Sequence, residues 1–280
     1  MSSSRQNKKP RVIPECHVLP GKTITPYFRL IKNLGAGSFG TVYSARVTQA
    51  GKWLNRDMPD LVAVKEINIP SNPERINALR NEFNVLKRIP KSYFGCFTGG
   101  DKVYVILPLI EGLDLFKVDL YGLNEIKLAR DIARAITDLH ALNIVHRDIK
   151  LENIMYAPAD RSVHLIDFGL ACDLSRNPRS PTCRFRDIGT PGYIDPHVRP
   201  GDLASMKLAD WWAYGQLLVE LFLHVRLWNG KTLRYGQLKQ NDYHRLPKKF
   251  RPVLRGLTDP SLAQCERPTP EEIIHVAGLR

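Results

Sequence analysis

Nowhere in this chain of 280 residues does an apolar run approach the roughly 18 residues that a membrane-spanning helix requires, and its first residues are polar and basic without an apolar leader core. No membrane role is expected. Cysteine is scarce: Cys16, Cys96, Cys172, Cys183 and Cys265 are odd in number, widely scattered and form no C-x-x-C pair. The spacing excludes a zinc cluster and points away from a disulfide framework, so a reducing compartment, cytoplasmic or nuclear, is expected. Acidic residues are also few, 28 against 41 basic ones, for a formal charge of +13. Such an excess favours acidic partners, nucleic acid among them, but no motif accompanies it. Hydrophobic residues at 43% and charged ones at 25% are ordinary for a globular chain, long enough for one large domain or two lobes sharing a cleft.

What the chain does have is His146-Arg147-Asp148-Ile149-Lys150-Leu151-Glu152-Asn153. Phosphoryl transfer needs a carboxylate to orient a hydroxyl and take its proton, and cations to neutralise the charge spreading over the phosphoryl oxygens. Asp148 can be that base. Lys150 brings a mobile positive charge, and Asn153 a neutral amide oxygen of the kind Mg²⁺ accepts. Alone, these residues would pass for an exposed polar loop after a helix. Together they resemble the catalytic loop of eukaryotic-type protein kinases, and other parts of that machine follow in the right order.

Phe28 to Leu34 reads as a strand running into Gly35-Ala36-Gly37-Ser38-Phe39-Gly40-Thr41-Val42. Dinucleotide-binding folds share G-x-G-x-x-G, but they need a helix at the third glycine. Thr41 to Val47 is instead β-branched and aromatic and predicts a second strand. A strand, glycine loop and strand resemble the kinase Gly-rich loop, in which Leu34 to Val42 would cover ATP phosphates with backbone amides. In the strand Leu61 to Ile67, alternation places Ala63 and Lys65 on one face, and V-A-V-K resembles the family's V-A-I-K. Asn72-Pro73-Glu74 signals a helix start, and Ile76, Leu79, Phe83 and Leu86 form one apolar face. Glu82 borders that face and is the expected partner of Lys65; Glu74, at the helix start, is better placed to serve the dipole. The connection after Ile89 is short for the family.

Val103 to Ile110 is an apolar run of buried-strand length. By resemblance Leu107 holds the gatekeeper position, Pro108 to Ile110 form the adenine hinge, Asp114 stands where a ribose-contacting acid often sits, and Met155 floors the adenine site. Leu123 to Ala141 is amphipathic, with Ile126, Ala129, Ile132, Ala133, Ile136 and Leu139 at helical spacing. Asp167-Phe168-Gly169 falls at the family's distance after Asn153, making Asp167 and Asn153 the implied Mg²⁺ ligands. The segment from Leu170 to Ile188 resembles an activation loop, with Ser175, Ser180 and Thr182 as modification candidates and Arg147 as the residue to meet a phosphate there. Gly189-Thr190-Pro191-Gly192-Tyr193 with Lys150 resembles serine/threonine rather than tyrosine kinases, Thr190 lying near Asp148 and Lys150. Where the family has A-P-E, this chain has Asp195-Pro196-His197. The absent glutamate normally meets a late arginine, here Arg267, so either Asp195 or Glu266 replaces it or the segment is less firmly held. Asp210, opening Asp210-Trp211-Trp212-Ala213-Tyr214-Gly215, would brace the catalytic-loop backbone.

The resemblance implies an α+β, two-lobed protein-kinase-like fold, with a small antiparallel β N-lobe carrying one key helix and a larger, mainly helical C-lobe. A basic, disordered tail is expected over 1–26, then a kinase domain over 27–280, with lobes at 27–110 and 111–280. The implied activity is serine/threonine phosphorylation of proteins with ATP and Mg²⁺. With a short inter-strand connection and no C-terminal regulatory tail expected, the chain resembles some virus-encoded kinases. A pseudokinase scaffold, suggested only by His197, and a small-molecule kinase are the alternatives. No feature sets the oligomeric state.

Overall fold

The glycine loop is built as a hairpin. Strand β2 (Phe28–Gly37) pairs antiparallel with β3 (Gly40–Val47), and the register breaks between Leu30 and Lys32 and again between Asn33 and Gly35. A strand and not a helix follows Gly40, which removes the dinucleotide reading. Gly40 has φ +118°, and a Cβ there would lie 2.3 Å from the Glu66 carbonyl oxygen, so only glycine fits. This computed structural model describes residues 13, 15–19, 23–37, 40–175, 183, 188–225 and 244–279; Ser38, Phe39, Ser180, Thr182 and the basic cluster near the start lie outside them.

Two compact units divide the chain, the first ending at Ile110 and the second beginning at Glu111. The first is a six-stranded sheet in the order β1-β5-β6-β4-β3-β2, where β1 is His17–Val18, β4 Leu61–Asn68, β5 Gly95–Gly99 and β6 Lys102–Pro108. Every pairing is antiparallel except β1 with β5. Phe28, Val62, Val64, Phe97 and Ile106 are buried in its core. Helix α1 (Gln49–Leu54) occupies the long connection after β3, where Thr48 caps it by accepting from the Gly51 amide. Helix α2 (Pro73–Leu86) starts as its signal predicts, with the Asn72 side chain accepting from the Glu74 amide at 2.7 Å.

Part of the expected tail is ordered. Residues 15–19 contribute the edge strand β1, and Ile13 and Leu19 are buried. The cysteine expectation also fails, because Cys16 pairs with Cys96 and Cys172 with Cys183 as disulfides, leaving Cys265 free and exposed among the described residues. Partners 80 residues apart in sequence are joined only by tertiary structure, which spacing alone does not reveal. Their pairing removes the support that scattered cysteines lent to a reducing compartment.

The second unit is mainly helical: α3 (Glu125–Ala141), α4 (Leu203–Leu223), α5 (Arg251–Leu257) and α6 (Pro270–Ala277). Leu128, Ala129, Ile132, Ala133, Ile136 and Leu139 turn the predicted face of α3 into the core, while Ile126 points outward. Helix α4 is apolar nearly all round and buried nearly all round, as a central core helix must be. Short strands complete the unit: β7 (Leu113–Asp114), β9 (Ile154–Ala157) and β10 (Ser162–Leu165) form one sheet, β8 (Ile144–Val145) and β11 (Cys172–Asp173) another. No helix among the described residues is long and apolar enough to cross a membrane.

Candidate active site

In the first unit, strand alternation and helix periodicity bring two charges together. Lys65 lies on β4 opposite Val42 of β3 and Val105 of β6, with Ala63 facing Leu107 two positions earlier. Its Nζ donates to Glu82 Oε1 at 2.7 Å, and the two side chains are only 8% and 5% exposed. Glu82 sits on the buried face of α2, whereas Glu74 stays exposed in the first turn, so the expected partner is the one found. Burying both charges is tolerable because each neutralises the other. Pro108 ends β6, where its missing N–H interrupts no further ladder, and Leu109 and Ile110 follow outside the strand.

In the second unit, the catalytic loop leaves β8 and is held from below by α4. Asp210, 1% exposed, accepts from three donors: the His146 amide (2.8 Å), the Arg147 amide (2.8 Å) and His140 Nε2 (2.8 Å). Burial by itself would raise this carboxyl; the hydrogen bond and charge of His140, then His146 and the Arg147 amide, outweigh it and hold the carboxyl below its ordinary value. His140 was not anticipated. Its signal is a histidine in the last turn of a helix whose apolar face is already accounted for. Arg147 adopts φ +69°, and burial draws its guanidinium down to about 10, Asp210 opposing the shift.

Around Asp148 the predicted residues converge. Asp148 Oδ1 accepts from Thr190 Oγ1 at 2.7 Å, and Oδ2 accepts from Asn153 Nδ2 at 2.7 Å, with Lys150 Nζ 3.1 Å away. Lys150 Nζ also donates to Thr190 Oγ1 at 2.6 Å, closing the cluster. Gly189 permits the approach: it has φ +130°, and a Cβ would lie 2.7 Å from the Arg147 carbonyl oxygen. Since the Asn153 amide nitrogen is spent on Asp148, its Oδ1 remains for another partner. Asp167, in the left-handed region at φ +60°, adds a carboxylate. An amide oxygen with a carboxylate suits Mg²⁺, which binds few protein oxygens and keeps waters. No group of three or more His, Cys, Asp or Glu side chains that could hold a metal ion gathers among the described residues. The segment is tied to the loop by the Ile166 amide on the Asn153 carbonyl (3.0 Å), by His146 Nε2 on the Ile166 carbonyl (3.0 Å), and by Phe168 stacked at a tilt on His146, ring centres 5.1 Å apart.

Residues 28–275 match the family described as the protein kinase domain. The chain belongs to that family. Serine/threonine-protein kinase sid1 of Schizosaccharomyces pombe is 29% identical over 69% of this chain and 40% of its own length. Serine/threonine-protein kinase AtPK2/AtPK19 of Arabidopsis thaliana is 31% identical over 79% of this chain and 46% of its own, and AtPK1/AtPK6 of the same plant 30% over 82% and 50%. The chain therefore spans half or less of the length of these curated relatives.

Within this kinase domain, other predicted positions are more scattered. Asp114 pairs with Lys117 at 2.6 Å, and on the β7–β9 ladder it stands opposite Met155. Ser175 Oγ donates to Asp173 Oδ1 at 2.7 Å. The departure from A-P-E is settled by Asp195, whose Oδ1 lies 2.9 Å from Arg267 Nη1, the side chains being 0% and 2% exposed. Arg267 also lies over the Trp212 ring, 4.4 Å from its centre, and its Nε donates to the Leu262 carbonyl at 3.1 Å. Its Nη atoms lack aligned hydrogen bonds, so charge rather than hydrogen-bond direction holds the pair. Glu266, the other candidate, accepts from the Ala263 amide instead, and His197 Nε2 meets the Pro260 carbonyl at 3.0 Å.

Proposed function

We propose that this chain is a serine/threonine protein kinase that transfers the γ-phosphoryl group of ATP to serine and threonine hydroxyls of proteins. The observation that carries this reading is the cluster in which Thr190, Lys150 and Asn153 all converge on the Asp148 carboxylate. Asp148 orients the acceptor hydroxyl and takes its proton as the new oxygen–phosphorus bond forms and the bond to the departing ADP oxygen breaks. Lys150 stabilises the charge that grows on the phosphoryl oxygens. Thr190 shapes the site for an aliphatic hydroxyl.

Lys65, paired with Glu82, is assigned to the α- and β-phosphates. The glycine loop from Leu34 to Val42 is assigned to the phosphates as well; in the first unit Ala63, Leu107, Pro108 and Ile110 are assigned to adenine, and in the second unit Met155 to adenine and Asp114 to the ribose. Asn153 and Asp167 are the residues that would hold Mg²⁺, whose contribution when bound is to neutralise phosphate charge. Proteins with Ser or Thr acceptors are the proposed partners; the net charge of +13 favours acidic ones, whereas Asp114 and Glu152 favour basic residues before the target hydroxyl.

The test is transfer of labelled γ-phosphate from Mg-ATP to a panel of Ser, Thr and Tyr peptides. Transfer to Ser or Thr that Asp148→Ala and Lys65→Met both abolish is the expected result. Nucleotide binding without any transfer, or transfer confined to Tyr, would overturn the proposal.

A further inference from the structure

Residues 15–19 are held to the first unit by contacts of different kinds. The strand β1 extends the sheet beside β5, and the Leu19 amide donates to the Thr98 carbonyl at 2.9 Å. Cys16 is bonded to Cys96 on β5, and Leu19 is 2% exposed in the core. A further contact goes to α2: Glu15 Oε1 accepts from Arg80 Nε at 2.7 Å, and Arg80 is on the helix that carries Glu82. Glu15 is 15% exposed on its side chain, and its second oxygen is buried without a hydrogen-bond partner, so Arg80 bears the compensation of that carboxylate.

The geometry of a helix gives this contact its meaning. Successive residues turn by about 100°, so positions 80 and 82 point to roughly opposite sides of α2. Lys65 draws the helix from one side through Glu82, and Glu15 holds it from the other through Arg80. We propose that residues 15–19 form a positioning strap for α2, with Glu15 as the positioning residue and the Cys16–Cys96 disulfide keying the strap to the sheet. The strap sets the rotation and depth of α2, and so the place of Lys65. The inference rests on reading Lys65 and Glu82 as the working pair for nucleotide phosphates.

The experiment compares the whole chain with Glu15→Arg, Arg80→Glu and the double reversal, measuring kcat, the KM values for Mg-ATP and peptide, and Tm. A partly exposed ion pair is worth up to about 1 kcal/mol, so each single reversal should worsen kcat/KM for Mg-ATP about five-fold. The peptide KM should stay unchanged, and the double reversal should recover to within about two-fold of wild type. Glu15→Gln, which keeps shape and loses charge, should give a smaller loss in the same direction and serves if a reversal fails to fold. Single variants that leave the Mg-ATP parameters unchanged would overturn the strap, as would a loss that tracks Tm and is not recovered in the double variant. Lys65→Met separates the two levels. If it is inactive while the Glu15 and Arg80 variants are silent, the strap alone fails; if it keeps wild-type transfer, the reading of the pair fails and the strap with it.

Discussion

Replacing Asp195 by Asn should strand Arg267. The pair is enclosed, with side-chain exposures of 0% and 2% and a separation of 2.9 Å, so the guanidinium has no route to solvent when its counter-charge goes. Removing one partner of such a pair costs about 4 kcal/mol, far more than a surface bridge would. At the 2–4 °C per kcal/mol usual for domains somewhat smaller than this one, Tm should fall by about 10 °C. Stacking on Trp212 and the Leu262 carbonyl survive the change, but neither supplies negative charge. Arg267→Met in the same chain removes the orphaned cation and leaves a side chain that still packs on Trp212. The double variant should therefore recover about half of the loss. Circular dichroism melting of wild type, the two single variants and the double variant gives the coupling directly. A fall below about 2 °C for Asp195→Asn, or a double variant no more stable than the single, would refute the argument that Asp195 supplies the charge absent at His197.

Asp148→Asn should reduce phosphoryl transfer about a thousand-fold, the usual scale for a lost general base, with Tm nearly unchanged; parallel kinetic and melting measurements check this. Asp210 has a folded-state carboxyl below the ordinary 3.8, so its stabilisation is fully present above that pH and disappears as pH falls through the depressed value. Asp210→Asn should accordingly lower stability at neutral pH and flatten its decline on the acid side below about pH 4, as read from urea unfolding across pH. Paired Cys16→Ser and Cys96→Ser substitutions open a loop closed across 80 residues, for an expected loss of about 4 kcal/mol by chain entropy, again measurable by denaturant unfolding. Gly40→Ala should destabilise by about 1–3 kcal/mol, because its Cβ would collide with the Glu66 carbonyl and the backbone is left-handed there.

The parts legible in the sequence are those whose signal is local. Lys65 and Ala63 follow from alternation along one strand, Glu82 from the face of one helix, and the α2 start from Asn72 and Pro73. Asp148, Lys150, Asn153 and Thr190 are separated in sequence, but each carries its own motif, and the structure brings them within hydrogen-bonding or ion-pair range. What was not legible depends on distant segments. Nothing near Cys16 marks a partner 80 residues on, and although Cys172 and Cys183 are only 11 residues apart, no motif joins them. Strand β1 is only His17–Val18, too short for any alternation to show. The choice between Asp195 and Glu266 stays open in the sequence because both are acids of suitable position; the fold pairs Asp195 with Arg267 and gives Glu266 to the Ala263 amide. His140 remained hidden because a helix-terminal histidine usually faces water.

The three-donor seat of Asp210 also governs when the catalytic loop can move. The amides of His146 and Arg147 end on a carboxylate embedded in the most buried helix of the unit, so releasing them means disturbing α4 itself. Their exchange with solvent deuterium should be as slow as that of core amides, although they belong to a loop. A chain that has lost the order of α4 cannot retain a formed catalytic loop, so partly unfolded molecules are silent rather than promiscuous.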